Sequence, residues 1–124
     1  MCKILLSINP VHVNHILDGS KEYEFRKTRC KEKVDGIVIY ATAPVKKVVA
    51  EADVETVLED TPLEVWKKTE TKSGISKEFF FSYYKDREKA VAYKLTNLNT
   101  FVEPKTLSDY GVTAAPQSFV YVES

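Results

Sequence analysis

The chain carries no excess of basic charge: 18 Lys and Arg stand against 18 Asp and Glu, so the formal net charge is zero over 124 residues. Domains that grip nucleic-acid backbones usually show a basic surplus. Its absence argues against strong non-specific attraction to phosphate, but leaves room for a local basic patch inside a cleft. Cysteine is scarce, with Cys2 and Cys30 only, in no C-x-x-C pair, and His12 and His15 are the two histidines that could join them. That count gives no support for a disulfide framework or a zinc cluster, so no metal and no cofactor are expected. The two histidines read as exposed or half-buried helix residues. Long apolar runs are missing as well, since no stretch approaches the ~20 residues that span a bilayer. The early run Ile4-Leu5-Leu6 lacks the length and cleavage site of a signal peptide. The expectation is a cytoplasmic protein without a membrane partner.

What is present fits a single domain spanning 1–124, large enough for one modest core. Apolar residues make up 44% and charged residues 29%, and the aromatics are seven Tyr, six Phe and one Trp. Tyr and Trp bury a ring while keeping a polar handle, and they also offer faces on which bases stack.

Lys3 to Ile8 reads as a buried strand, ended by Asn9-Pro10, which suits the N-cap and first position of a helix. Val13, Ile16 and Leu17 share one face of that helix, and Gly19 sits where a C′ glycine belongs. Glu22 to Arg26 alternates as a half-buried strand, and Gly36 to Ala41 is apolar enough for a central one. Val45 to Val57 reads as a long strand. Thr61-Pro62-Leu63-Glu64 begins a second helix, and Ser76 caps a third that runs through Phe79, Phe80, Tyr83 and Tyr84. Between them, Thr69 to Gly74 reads as polar and flexible. Ala90 to Leu95, Leu98 to Val102 and Ser118 to Val122 are three further strands, with a turn or short helix over Pro104 to Tyr110. The order is β-α-β-β-β-α-α-β-β-β. Many strands with few helices predict a mixed α+β fold, a small barrel with helices packed around its mouth.

The most informative run is Gly19-Ser20-Lys21-Glu22-Tyr23-Glu24-Phe25-Arg26-Lys27, which crowds charge at a helix–strand boundary. Such boundaries on rigid scaffolds often carry function. Strict alternation puts Lys21 on the face opposite Glu24 and Arg26. The three converge only if Lys21 lies in the turn before the strand, or if a bulge re-aims it.

Gly19, Lys21, Glu24 and Arg26 match G-x-K-x-x-E-x-R, the signature of the ASCH domain (activating signal cointegrator homology) in the PUA-like superfamily. Tyr40-Ala41-Thr42-Ala43-Pro44 resembles the Y-A-[ST]-x-P segment of a bacterial, archaeal and phage subgroup. Trp66, the Ser73-Gly74-Ile75-Ser76 turn, the aromatic helix through Tyr84 and Ala115-Pro116-Gln117-Ser118-Phe119 extend the resemblance along almost the whole chain. The resemblance implies a PUA-like β-barrel whose cleft is lined by the signature. It also implies a function in binding RNA, a nucleotide or a modified nucleobase, with a regulatory role and a protein partner as further options. Two catalytic alternatives accompany it: an amidohydrolase acting on N4-acylated cytidine, and a ribonuclease.

Lys21 can donate to phosphate or to base carbonyls. Desolvated, it can instead lose its proton and act as base or nucleophile. Glu24 can orient it or act as acid or base, and Arg26 offers a planar fork for phosphate. The bland alternatives are a solvated turn lysine paired with Glu24, and a Glu24–Arg26 ion pair that stiffens the strand. If the domain is an enzyme, Lys21 and Glu24 carry the chemistry. The amidohydrolases of the family use a lysine, a threonine and a glutamate. Lys21 matches the lysine, but Glu24 stands at the threonine position, and Glu70 and Glu78 are both open as the distant glutamate. That departure favours a binding module over a hydrolase. The secondary walls expected for the cleft are Tyr40, Thr42, Gln117 and Ser118, with Trp66 as a stacking platform or, more simply, a core residue beside Leu63. Tyr83 and Tyr84 diverge by ~100° on their helix, so they cannot both face the cleft.

Overall fold

The computed structural model describes residues 2–122. Six strands form one sheet: β1 (Lys3–Ile8), β2 (Tyr23–Arg26), β3 (Gly36–Ala41), β4 (Lys47–Asp60), β5 (Ala90–Lys105) and β6 (Phe119–Val122). Three helices join them: α1 (Pro10–Leu17), α2 (Pro62–Thr69) and α3 (Lys77–Tyr83). Among the described residues, no helix is long and apolar enough to cross a membrane. The strand order is β2-β5-β4-β3-β1-β6. β1 pairs with β3 in parallel, and the other neighbours are antiparallel.

The sheet curls into a half-barrel. Three strands separate β2 from β1 in the order, yet the Arg26 guanidinium on β2 donates from Nη2 to the Ser7 carbonyl on β1 at 3.3 Å. Only a strongly curled sheet brings those two strands together. Inside the curl, Ile4, Leu6, Ile37, Ile39, Ala50, Val91 and Tyr93 form the main core, covered by Val13 and Ile16 of α1. On the outer face, Phe25, Val65, Trp66, Phe80 and Tyr84 bind α2 and α3 to the sheet. A third cluster, Leu5, Val38, Tyr40, Val48 and Val122, packs the far side under the 3-10 turn Leu107–Tyr110. β1 and β3 are therefore buried on both faces, which explains why they read as unbroken apolar runs.

Local signals act as expected at the helix starts. The Asn9 side chain accepts from the Val11 N–H, Thr61 Oγ1 from Glu64 and Ser76 Oγ from Phe79. Gly19 ends α1 with φ +87°, a conformation that costs glycine little.

Two expectations are corrected. The two strands expected over Ala90 to Leu95 and Leu98 to Val102 are one, β5, which bends at Asn97 where φ is +51°. The sheet thus has six strands, not seven. Residues Thr69 to Gly74 are also no flexible linker. They hold a 3-10 turn, Glu70–Lys72, with Thr69 and Ser73 almost completely buried. The polar composition misled because these hydroxyls bond inward, Thr69 Oγ1 to the Val65 carbonyl and the one Ser73 hydroxyl proton to the carbonyl of Glu70 or of Ile75.

Candidate functional site

The turn at Ser73 decides where Lys21 points. β2 runs in unbroken antiparallel register with β5 from Tyr23 to Arg26, so no bulge re-aims a side chain there. At Glu22 the chain changes partner: its carbonyl still accepts from the Leu95 N–H of β5, but its own N–H turns away. Lys21 bridges Ser73, the Glu22 N–H donates to the Lys72 carbonyl, and the Lys21 N–H donates back to the His15 carbonyl. Lys21 therefore lies in a turn clamped between α1 and the 70–73 segment, and strand parity no longer applies to it.

Gly74 completes the clamp. Its φ is +68°, and a Cβ built on it would lie 2.4 Å from Lys21 Cβ and 2.8 Å from Lys21 Cγ. A side chain at 74 would have to displace the lysine stem. Held this way, Lys21 is only 3% exposed. Its ammonium donates to the Ser73 carbonyl at 3.0 Å and lies 4.6 Å from the centre of the Phe25 ring. Burial pushes its pKa down to about 8, with Glu24 opposing the shift and Arg26 assisting it. A substantial minority of Lys21 is then neutral near pH 7.5, unlike an ordinary lysine.

Glu24 bonds elsewhere. Its carboxylate accepts from Arg26 Nη2 at 2.7 Å, and no ion pair joins it to Lys21 among the described residues. The solvated Lys21–Glu24 pair considered above does not form, whereas the Glu24–Arg26 pair does. Arg26 also reaches Ser118 Oγ from Nη1 at 3.4 Å, while its buried Nε has no partner. Behind it, the single Tyr84 hydroxyl proton is shared between the Arg26 carbonyl at 2.8 Å and the Val91 carbonyl at 3.1 Å, fixing the end of β2.

These groups line one cavity of about 170 Å³ together with Ser7, Asn9, His12, Ile75, Phe79 and Tyr83. Sites for drug-sized ligands occupy ~300–1,000 Å³. The enclosed part suits one base-sized or phosphate-sized group, with the rest of a ligand outside. α1 contributes His12 and α3 contributes Phe79, whose rings meet edge to face at 5.4 Å across the mouth. Among the described residues His12 Nδ1 is buried without a partner, and burial, helped by Lys21, lowers the imidazole pKa. A neutral imidazole with an unused nitrogen can accept or donate, according to tautomer.

Lys21, Glu24 and Arg26 thus share one cavity, and Ser118 touches Arg26 at its edge. Tyr40 lies in the third core cluster and Trp66 in the second, each almost fully buried and neither lining the cavity. Thr42 closes the end of β3, donating its N–H to the Ile8 carbonyl, and Gln117 is exposed; neither lines the cavity. Glu70 and Glu78 are exposed and lie outside it, so Glu24 is the one carboxylate of its lining among the described residues. Tyr83 faces the cavity and Tyr84 the core, the divergence expected of adjacent helix residues.

Sequence reasoning missed His12, Phe79 and the clamp. His12 stood four residues before Ile16, on the same helical face, and that was the available signal. Nothing local marked Ser73 and Gly74 as partners of a lysine 52 residues earlier.

A family model described as ASCH domain matches residues 6–103. The chain belongs to the ASCH domain family. The ASCH domain has a solved counterpart in ASCH from Zymomonas mobilis, with a TM-score of 0.87 and 25% identity over 98% of this chain and 88% of that one. The N-terminal domain of Staphylothermus marinus McrB shares the fold alone, with a TM-score of 0.53 and 14% identity over 86% of this chain and 77% of that one. Among curated proteins, large ribosomal subunit protein uL22 of Ureaplasma parvum is 34% identical over 121 residues. That match takes in 97% of this chain but 39% of the relative, so the chain spans about two fifths of its length. An ASCH domain-containing ribonuclease of Zymomonas mobilis is 29% identical over 92 residues, 73% of this chain and 62% of that protein.

Proposed function

We propose that this ASCH domain binds RNA, seating one base or phosphate of a strand in the cavity built on Lys21, Glu24 and Arg26. The observation that carries the reading is the convergence of two cationic groups and an unpartnered His12 nitrogen with the rings of Phe25, Phe79 and Tyr83. Phosphate or base carbonyls meet the cations, and a base face meets the rings. A net charge of zero makes this a local site, so binding depends on the cleft more than on the surface as a whole. The relative named as a ribonuclease supports RNA over other ligands of the same chemistry.

The test is titration of wild type, Lys21→Met and Arg26→Gln with single-stranded RNA, single-stranded DNA and free nucleosides. Loss of RNA affinity in both variants is expected. Equal, weak binding by all three proteins would remove the cleft as the site.

RNA cleavage is the second reading, and one specific observation favours it: a lysine with pKa about 8 shares the cavity with an imidazole whose Nδ1 is free. One of the two would take the proton of a ribose 2′-hydroxyl as that oxygen attacks phosphorus. The other would return a proton to the departing 5′-oxygen, with Arg26 holding the phosphate. Incubation with RNA and with its 2′-deoxy analogue decides it, because only the ribose strand can be cut this way. Intact RNA after prolonged incubation leaves binding alone.

A further inference from the structure

We propose that the cleft is the first of two adjacent nucleotide slots, and that the next nucleotide of the same strand lies beyond Arg26 in the seam between β2 and β6. This rests on the RNA-binding reading above. A second cavity of about 140 Å³ opens there, close in size to the first, and Arg26 and Tyr83 line both. Two spaces of base size on either side of one guanidinium are the arrangement a repeating polyanion requires. A mononucleotide has no use for the second.

The chemistry of the second slot also fits. Its apolar wall is formed by the half-buried rings of Phe119 and Tyr83, backed by Ile4, Leu6 and Tyr93 of the core. Its rim is polar, with Thr28 and Ser118 offering hydroxyls and Lys27 an ammonium 4.9 Å from the centre of the Tyr83 ring. A base can lie against Phe119 and Tyr83 while its backbone meets Lys27 and Arg26. Arg26 is anchored from both edges of the seam, to Glu24 on its own strand and to the Ser7 carbonyl and Ser118 across it. It is therefore placed to hold the phosphate that links the two nucleotides.

Affinity for uridylate and adenylate probes, each as a mononucleotide, a dinucleotide and a tetranucleotide, tests this directly. The dinucleotide should bind at least about tenfold more tightly than the mononucleotide, the contribution of one further stacked base. Thr28→Trp places an exposed bulky ring at the rim of the second slot and should abolish that gain. Amide shifts of the wild-type protein give a reading that needs no variant. The dinucleotide should move Thr28 and Phe119, and the mononucleotide should not. A mononucleotide bound as tightly as the dinucleotide overturns the second slot and leaves RNA binding standing. A gain that survives Thr28→Trp, with Thr28 and Phe119 unmoved, also overturns it. Failure of every probe to bind overturns both readings.

Discussion

Two ionic clusters on opposite sides of this sheet use the same kinds of residue and come out differently. On the far side, Lys3 Nζ donates to Glu51 Oε1 at 2.8 Å and the Tyr110 hydroxyl to Glu51 Oε2 at 2.5 Å. Burial works against that carboxylate's charge, but the two hydrogen bonds outweigh it and hold the Glu51 pKa below its ordinary value. In the cleft, the carboxylate of Glu24 goes to Arg26, Lys21 is left with a backbone carbonyl, and its pKa falls. One cluster matches each charge directly and closes. The other leaves a lysine without a carboxylate and, among the described residues, an imidazole nitrogen without a partner, on two residues that line an open cavity. Matched charges serve stability; unmatched ones beside a cavity are what make this cleft the candidate site.

The largest effect should come from Gly74→Ala. The substitution adds a left-handed strain and drives a methyl into the Lys21 stem, for an expected stability loss of about 3 kcal/mol or more. RNA binding should fall with it, because the clamp is what aims the ammonium. Denaturant unfolding and RNA titration of the same sample check both. A neutral result for stability would mean that the clamp is not rigid, and the contrast between the clusters would then lose its basis.

Lys21→Met should show the next largest effect, read through pH. The lysine's folded pKa of about 8 lies below its ordinary 10.5, so the unfolded chain binds the extra proton between those values. Stability therefore rises with pH across that window, and the cost of burying the ammonium is fully present below pH 8. Relative to Lys21→Met, the wild type should gain about 3 kcal/mol from pH 8 to 10.5. Parallel curves for the two proteins would show that Lys21 is no harder to charge than a surface lysine. Over the first part of that rise, wild-type affinity for RNA should decline as the ammonium is lost, while the weaker affinity of Lys21→Met stays flat.

Glu51→Gln probes the matched cluster. Its depressed pKa has the opposite sign: the stabilisation is present above the unfolded carboxylate pKa and is lost as pH falls through the folded one. The variant should lose about 1–2 kcal/mol at neutral pH and bind RNA as the wild type does. Loss of RNA binding would place function on both sides of the sheet. Gln117→Ala should give the smallest effect, within about 0.5 kcal/mol in stability, since its side chain is exposed and lines no part of the cavity.

Much of the fold was legible in the residues. β1, α1, β3 and the starts of α2 and α3 were marked by apolar runs or by Asn9-Pro10, Thr61-Pro62 and Ser76, because capping and burial are local chemistry. β5 was misread as two strands, since a bend at Asn97 looks like an interruption when the pairing with β4 is unseen. The charged residues of the candidate cavity were legible too, in Lys21, Glu24 and Arg26. Tyr40, expected at the cleft wall, lies in the core, and so does Trp66, for which a core place was the simpler reading; a large ring buried among apolar neighbours stabilises more than one at a rim.

The sequence by itself determined which residues carry charge, where the helices begin, which strands are buried on both faces, and that Lys21 had to leave the strand's parity to meet Glu24. Only the tertiary structure decided how. The partner that lifts Lys21 out of register is a turn 52 residues away, and the glycine that makes room for its stem is defined by that turn alone. Charge and capping are properties of neighbours along the chain. Desolvation, and with it the lysine's altered proton affinity, exists only once distant segments have closed around it.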